Sequence, residues 1–159
     1  MISYNRASAV AYAHQWAFRR NPAYYNFDGI GGDCTNFASQ VLYAGSGVMD
    51  YRPVYGWFYR SADDRTASWT GVEFLYNYLV RPEITPGPVA VEVTKREVEP
   101  GDLIQLSFQG INYRHCPVVV AVGREILVAA HSEDSDYRPL STYDYESARY
   151  LHILGINPG

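Results

Sequence analysis

A glycine-rich turn that leads into a helix start is the feature that most constrains this fold. In the segment Gly31-Gly32-Asp33-Cys34-Thr35-Asn36-Phe37, Asp33 is a good capping residue because its carboxylate can accept a hydrogen bond from a free N–H of the first turn. Stop signals follow at Gly45 and Gly47. Between these signals, apolar residues recur at the spacing of one helix face, at Phe37, Ala38, Val41 and Leu42. The pattern predicts a buried helix that begins at Cys34.

The position of Cys34 at a helix N-terminus suits a nucleophile. The positive end of the helix dipole favours thiolate over thiol, and cysteine nucleophiles are commonly activated in this way. A free cysteine is nevertheless more often a small buried hydrophobic residue. The presence of a partner base distinguishes the catalytic interpretation from the structural one. The candidate base is His115, which opens the β-branched run Val118-Val119-Val120, a pattern typical of a core strand.

Several further segments occur in a characteristic order along the chain. They are Asn21-Pro22-Ala23-Tyr24, Gly32 to Gln40, Ser68 to Val72, Glu99 to Ile104, His115 before its valine-rich strand, and Leu127 to Ser132. Together they resemble the amidase-like domain family (amidase type 6) of the papain-like superfamily, which also holds the NlpC-like and CHAP cell-wall peptidases. The resemblance implies a papain-like fold and a cysteine amidase or peptidase that acts on bacterial peptidoglycan. It also implies a protein that is secreted or associated with the cell wall of a Gram-positive bacterium, as one domain of a larger protein.

The resemblance also implies roles for individual residues. His131 occupies the position of the third catalytic residue, which would orient His115, and Asp134 and Asp136 are the alternatives. Tyr24 lies where related peptidases place an assisting tyrosine, although Tyr25 and Asn26 compete for that role. Backbone N–H groups at the helix start, including that of Cys34, are natural oxyanion donors. The candidate substrate or oxyanion residues are Tyr24, Asp33, Asn36, Trp57 and Trp69.

Strand register decides whether His131 can reach His115. A two-residue turn at Gly123-Arg124 pairs Val122 with Glu125 and directs His131 away from His115, because a shift of one residue reverses the face of every side chain. A three-residue loop, or a bulge near Pro117, brings both histidines to one face. We expect the shared face.

The order of predicted elements favours an α+β fold with N-terminal helices packed on a C-terminal antiparallel sheet. Asn5 can cap a first helix that closes by Asn21-Pro22, and Ser68 can cap a third helix with Trp69, Val72, Tyr76 and Leu79 inward. Residues 48–67 show no clear period and are interpreted as a lid or cleft wall. Strands are predicted near 89–93, 103–108, on both sides of Gly123-Arg124, and near 150–154.

Composition narrows the remaining possibilities. A chain of 159 residues can bury one core, so a single domain over 1–159 is expected. The net charge of −4 gives no electrostatic reason to expect nucleic acid as a partner. No apolar run reaches the length of a membrane span, and the first residues do not have the pattern of a signal peptide. A disulfide between Cys34 and Cys116 is not expected, because it would consume the proposed nucleophile.

Three functions from different classes are consistent with these residues. The first is a cysteine amidase or peptidase, with peptidoglycan or peptide as substrate and no cofactor. The second is a non-catalytic cell-wall or peptide-binding module with the same shape, which the intact Cys34 and His115 argue against. The third is a metal site formed by Cys34, His115 and His131, which lacks any closely spaced ligand pair. Cys116 is predicted to be a buried filler, since neighbours on a strand point to opposite faces.

Overall fold

The fold combines helices with one large antiparallel sheet, as the order of elements predicts. The computed structural model describes residues 1–110 and 112–159. Its helices are α1 (Arg6–Trp16), α2 (Cys34–Ser46), α3 (Ala67–Thr70) and α4 (Val72–Leu79). Its strands are β1 (Tyr59–Ser61), β2 (Asp64–Arg65), β3 (Gly87–Val93), β4 (Leu103–Ser107), β5 (Val118–Ala121), β6 (Leu127–Ala130), β7 (Ser135–Pro139) and β8 (Ser147–Asn157). The α+β class is therefore confirmed.

The two N-terminal helices begin where the sequence predicts. The Asn5 side chain accepts a hydrogen bond from the backbone N–H of Ser8 and so caps α1. Helix α2 begins at Cys34 and is followed by Gly47, whose φ of 67° is accessible to glycine at little cost and whose N–H bonds to the Tyr43 carbonyl. Helix α1 ends at Trp16, before the proline stop signal is reached.

The predicted third helix is divided in two. Thr66, rather than Ser68, precedes α3, and Gly71 separates α3 from α4 with an extended backbone. The Ser68 hydroxyl instead donates a hydrogen bond to the Gly56 carbonyl.

The inward face of α4 is rotated from the predicted one. Leu75, Tyr78 and Leu79 are buried, whereas Val72 and Tyr76 are partly exposed. Only Leu79 among the three predicted inward residues of α4 is therefore in the core. The break at Gly71 explains the difference, because it changes the direction of the chain before α4 begins.

Segment 48–67 holds the small hairpin formed by β1 and β2. It contributes Trp57, Phe58 and Tyr59 to the buried interior. Tyr51 and Tyr55 on the same segment stay exposed. The segment therefore packs against the core, and the structure does not place it in the cleft that contains Cys34.

In the part of the chain that the structure describes, six strands form a curled antiparallel sheet in the order β3-β8-β4-β5-β6-β7. One hydrophobic core lies between the helices and the sheet and includes Phe37, Leu42 and Cys116. A second core lies on the other face of the sheet and includes Leu106 and Tyr143. None of the helices in the described ranges is long and apolar enough to cross a lipid bilayer.

The register between β5 and β6 contradicts the expectation that His131 and His115 share one face of the sheet. Val118 pairs with Ala129 and Val119 pairs with Val128, and the register shifts only between Val119 and Ala121, on the turn side of these pairs. When this register is continued beyond Val118, His131 lies opposite Cys116, the neighbour of His115. The two histidines therefore lie on opposite faces, because the bulge occurs too close to the turn to correct the register at His131.

Candidate active site

Cys34 and His115 line the same open cleft, which has a volume of about 550 Å³. The cleft lies where the start of α2 meets the segment that leads into β5. Its other walls come from β7 and from the chain on both sides of it, and they carry Glu133, Arg138 and Tyr143. The fold thus brings together two residues that are far apart in the chain, as the sequence predicts.

The Cys34 thiol is partly exposed in the cleft and is held close to the backbone of the segment before β5. Its Sγ lies 3.7 Å from the Arg114 carbonyl oxygen and 3.7 Å from Thr35 Oγ1. Burial raises the pKa of this thiol, and this effect outweighs the hydrogen bonds from the Thr35 side chain and from the backbone of Cys116 and Thr35. Burial therefore opposes the preference for thiolate that the helix start gives Cys34, and the structure does not support the expectation of a resting thiolate.

His115 is held at the beginning of its strand segment by a bridge to Leu106. Its ring is 5.3 Å from that of Tyr143, and its Nε2 lies 3.4 Å from the Tyr143 hydroxyl. Burial lowers the pKa of His115 to about 4, and the nearby Arg138 cation acts in the same direction. At neutral pH the imidazole is therefore uncharged.

In the resting site the Cys34 thiol and an uncharged His115 imidazole line the same cleft. Among residues 1–110 and 112–159, no hydrogen bond joins Cys34 Sγ to the His115 ring. Catalytic hydrogen bonds in ligand-free enzymes are commonly long and shorten when substrate binds. The first backbone N–H groups of α2 have no carbonyl partner within the helix; that of Thr35 bonds the Cys34 thiol, and that of Cys34 is available to an oxygen that develops negative charge there.

His131 does not orient His115, contrary to the sequence-based expectation. Its Nδ1 lies 2.6 Å from Asp33 Oδ2 and its Nε2 lies 2.8 Å from the Trp16 carbonyl oxygen. The residue is only 1% exposed, and its ring stacks on Phe37 at 4.1 Å. Both ring nitrogens are therefore used, and the ring packs on the helix side of the sheet without lining the cleft.

The two alternatives for the third catalytic residue are also engaged elsewhere. Asp134 accepts hydrogen bonds from Arg20, with distances of 2.9 Å to each carboxylate oxygen. Asp136 pairs with His14 Nδ1 at 2.7 Å. Neither carboxylate reaches His115, and the Tyr143 hydroxyl instead contacts its Nε2.

Asp33 has a different local role from the one its position predicts. Its side chain makes no capping hydrogen bond to the first turn of α2. Its Oδ1 accepts from the backbone N–H of Phe27 and from Asn36 Nδ2, both at 2.9 Å, while Oδ2 contacts His131. The buried carboxylate thus connects the glycine-rich turn to His131, the residue that follows β6, and fixes the backbone immediately before Cys34.

Asn36 and Trp69, which the sequence suggests as substrate or oxyanion residues, are both buried and do not line the cleft. Trp69 Nε1 donates to Asn36 Oδ1 at 3.0 Å, and Asn36 Nδ2 also donates to the Tyr25 carbonyl. These bonds satisfy polar groups that would be costly to bury alone.

Trp57 and Tyr24 likewise do not line the cleft. Trp57 is fully buried and donates from Nε1 to Ser39 Oγ at 3.1 Å. The Tyr24 ring stacks on Trp69 at 6.0 Å, and burial raises the pKa of its hydroxyl to about 12. The aromatic residues of these segments therefore serve core packing.

Cys116 is a buried filler, as predicted. It is fully buried, and its Sγ receives a hydrogen bond from Gln105 Nε2 at 3.6 Å. Both cysteines are free thiols. In the described ranges, no three His, Cys, Asp or Glu residues are grouped to hold a metal ion, and the alternative of a Cys34–His115–His131 centre fails because His131 lies on the other face.

Sequence reasoning did not identify Arg114, Arg138 and Tyr143 as residues of the cleft. Arg138 and Tyr143 come from β7 and from the segment that follows it. Polar and aromatic residues in that region show no periodic pattern. Arg114 directly precedes the predicted base, and this adjacency is the signal that could have identified it.

The fold and the cleft define an α+β protein that presents a helix-terminal cysteine beside a strand-borne histidine. The chain belongs to the family described as "Putative amidase domain", whose model matches residues 3–154. Uncharacterized protein YhbB of Bacillus subtilis (strain 168) is similar, with 36% identity over 148 residues, which are 90% of this chain and 46% of that protein. The chain therefore spans about half the length of this relative. No solved structure matches the chain significantly.

Proposed function

We propose that this domain hydrolyses amide bonds with Cys34 as nucleophile and His115 as general base and acid. The observation that carries the proposal is the shared cleft, in which a helix-terminal thiol and a strand-borne imidazole line the same open space. Membership of the amidase-domain family supports amide hydrolysis as the reaction class. The fold is proposed to be papain-like, since helix α2 packs on an antiparallel sheet with the cysteine at its first residue.

The reaction begins from the neutral pair. As Cys34 Sγ attacks the amide carbonyl carbon, its proton passes to His115, and the carbonyl oxygen becomes an oxyanion. The free backbone N–H of Cys34 at the start of α2 is placed to donate a hydrogen bond to that oxyanion. Collapse of the intermediate breaks the C–N bond, and His115 gives the proton to the leaving amine.

The second half of the reaction releases the acyl group from sulfur. His115 accepts a proton from a water molecule while the water oxygen attacks the thioester carbon. The C–S bond then breaks, Cys34 takes back the proton, and the product leaves as a carboxylic acid. The Tyr143 hydroxyl, 3.4 Å from His115 Nε2, is the side chain best placed to fix the ring during these transfers.

The proposed substrate is bacterial peptidoglycan or a peptide derived from it, and the proposed setting is the wall of a Gram-positive bacterium. The ordered segments that resemble the amidase-like domain family, whose proposed superfamily also holds cell-wall peptidases, support this substrate. The match to less than half of the Bacillus relative supports the proposal that this domain works as part of a larger protein. The cleft is open and large enough for a peptide segment.

Digestion of purified peptidoglycan tests this function directly. The wild-type protein is expected to create new amine and carboxyl ends, which mass spectrometry locates within the stem peptide or at its junction with the sugar. Cys34→Ala and His115→Ala should each abolish these products, and the double variant should be hardly worse than either, because the two residues act as a unit. Peptide binding without new ends in the wild-type digest would favour the non-catalytic module instead.

A further inference from the structure

We propose that the cleft binds a carboxylate of the amide substrate through Arg138 and Arg114, next to the bond that Cys34 attacks. The inference rests on the proposed function and narrows its substrate class to amides that carry a nearby carboxylate. Both arginines line the cleft together with Cys34 and His115. Arginine suits this role because its planar guanidinium can bind a carboxylate through two parallel hydrogen bonds.

Arg138 is held in place by the protein before any ligand arrives. Its guanidinium lies 3.6 Å from the centre of the Tyr143 ring, and its Nε donates to Thr142 Oγ1 at 2.7 Å. Its Nη2 also donates to the Thr142 carbonyl oxygen at 3.2 Å. A side chain fixed in this way loses little rotational freedom on binding, which favours affinity.

The remaining charge of Arg138 is weakly compensated. Its Nη1 lies 3.8 Å from Glu133 Oε2, and the Glu133 side chain is 87% exposed. Such a pair contributes little in water, so a substrate carboxylate can replace Glu133 at modest cost. Two other acids line the cleft: Asp33 is buried and already bonded to His131 and near Arg20, and Asp144 is exposed and makes no ion pair in the described ranges.

Arg114 supplies a second cation to the lining of the cleft. It precedes His115, its carbonyl oxygen contacts Cys34 Sγ, and the residue is exposed. Its guanidinium makes no ion pair with any residue that the structure describes. An exposed arginine without an ion-pair partner in the described ranges, in the cleft that Cys34 also lines, is suited to a ligand anion.

The placement of Arg138 also has a consequence for catalysis. A cation beside His115 opposes the imidazolium that must form when Cys34 gives up its proton, and burial opposes it further. A bound carboxylate would offset the Arg138 charge when that proton moves. The arrangement therefore favours reaction with a substrate that brings its own negative charge.

Two alkylating reagents test the carboxylate site without requiring amidase activity. Iodoacetate and iodoacetamide react with Cys34 in the same way: a C–S bond forms, the C–I bond breaks, iodide leaves and the thiol proton goes to His115 or to solvent. The reagents differ in that one carries a carboxylate and the other a neutral amide. The ratio of their rates at Cys34, measured by mass mapping, is compared with the same ratio for a free cysteine peptide.

We expect the iodoacetate-to-iodoacetamide ratio at Cys34 to exceed that of the free peptide about tenfold, as a charge-assisted contact to arginine would produce. Arg138→Gln and Arg114→Gln should each lower the ratio toward that of the peptide. Arg124→Gln, which removes the same charge at an exposed position outside the cleft, is the matched control and should leave it unchanged. Arg114→Gln carries the test if Arg138→Gln does not fold.

The outcomes separate this inference from the proposed function. A wild-type ratio equal to that of the free peptide, or an equal effect of Arg138→Gln, Arg114→Gln and Arg124→Gln, overturns the carboxylate site even if amides are hydrolysed. A raised ratio that depends on Arg138 and Arg114 supports the site even where peptidoglycan is not cleaved, in which case the proposed peptidoglycan substrate is wrong.

Discussion

Replacing His131 by alanine tests the role that the structure gives to this residue. The residue is 1% exposed, pairs with Asp33 at 2.6 Å and bonds to the Trp16 carbonyl at 2.8 Å. Its removal leaves the Asp33 carboxylate buried without that partner. Because Arg20 Nε still lies 3.5 Å from Asp33 Oδ2, the loss is that of a buried hydrogen bond to a charged group, about 1.5–3 kcal/mol of folding free energy.

The matched control is His14→Ala, because His14 pairs with Asp136 at a similar distance of 2.7 Å. That pair is more exposed, with 28% of the His14 side chain accessible, so its loss should cost only about 0–1 kcal/mol. Urea unfolding of both variants, monitored by circular dichroism, gives the two free energies. Equal losses of folding free energy in His131→Ala and His14→Ala would refute the claim that the Asp33–His131 pair stabilises the backbone immediately before Cys34.

The titration of the site and the end of α2 provide three more tests. Burial lowers the pKa of His115 from 6.5 to about 4, so near pH 5 the unfolded chain binds a proton that the folded one does not. The contribution of His115 to the free energy of unfolding should therefore fall by about 2–3 kcal/mol as pH drops from above 6.5 to 4. The His115→Asn variant should lose less stability over that range. Equal losses for the variant and the wild type, measured by urea unfolding at each pH, would contradict the lowered pKa of His115. Because burial raises the pKa of Cys34, its alkylation by iodoacetamide should keep accelerating above about pH 8.5, the ordinary thiol pKa, whereas a plateau reached already in neutral solution would indicate a resting thiolate. Gly47→Ala should destabilise the fold by about 1 kcal/mol in thermal or urea unfolding because of its left-handed φ of 67°, and no loss would mean that the end of α2 rearranges freely.

Local signals in the sequence predict the parts of the site that depend on neighbouring residues. The cap at Asn5, the start of α2 at Cys34 and the glycine after its last turn all follow from short-range hydrogen bonding and backbone preferences. His115 is identified because a β-branched run follows it closely. Each of these features depends on only a few consecutive residues.

The errors concern partners that meet only through long-range packing. The face on which His131 lies depends on where a bulge falls between β5 and β6, and composition cannot decide this because both strand faces are apolar. Asp33 satisfies a helix-cap pattern but finds other partners in Asn36 and His131. A capping pattern shows that a bond is available, but it does not show which competing partner prevails.

Strand β7 is not predicted from the sequence, for a related physical reason. Its residues, Ser135 to Pro139, are mostly polar and none of them is fully buried, as suits the edge of a sheet. A strand that buries neither face leaves no alternation of apolar and polar residues to detect. The strand that carries Arg138 into the cleft wall therefore cannot be predicted from hydrophobic periodicity.

The most direct test of the central claim compares the loss of each cysteine. Cys34→Ala and Cys116→Ala both remove a thiol, but Cys34 lines the cleft whereas Cys116 is fully buried in the core between the helices and the sheet. With folding of both variants checked by circular dichroism, the release of new amine ends from purified peptidoglycan is measured against the wild-type protein. The account predicts that Cys34→Ala lowers the rate at least about a thousandfold, as expected for loss of a nucleophile, while Cys116→Ala stays within a few-fold of wild type. Hydrolysis that survives in folded Cys34→Ala, or that falls equally in both variants, would contradict it.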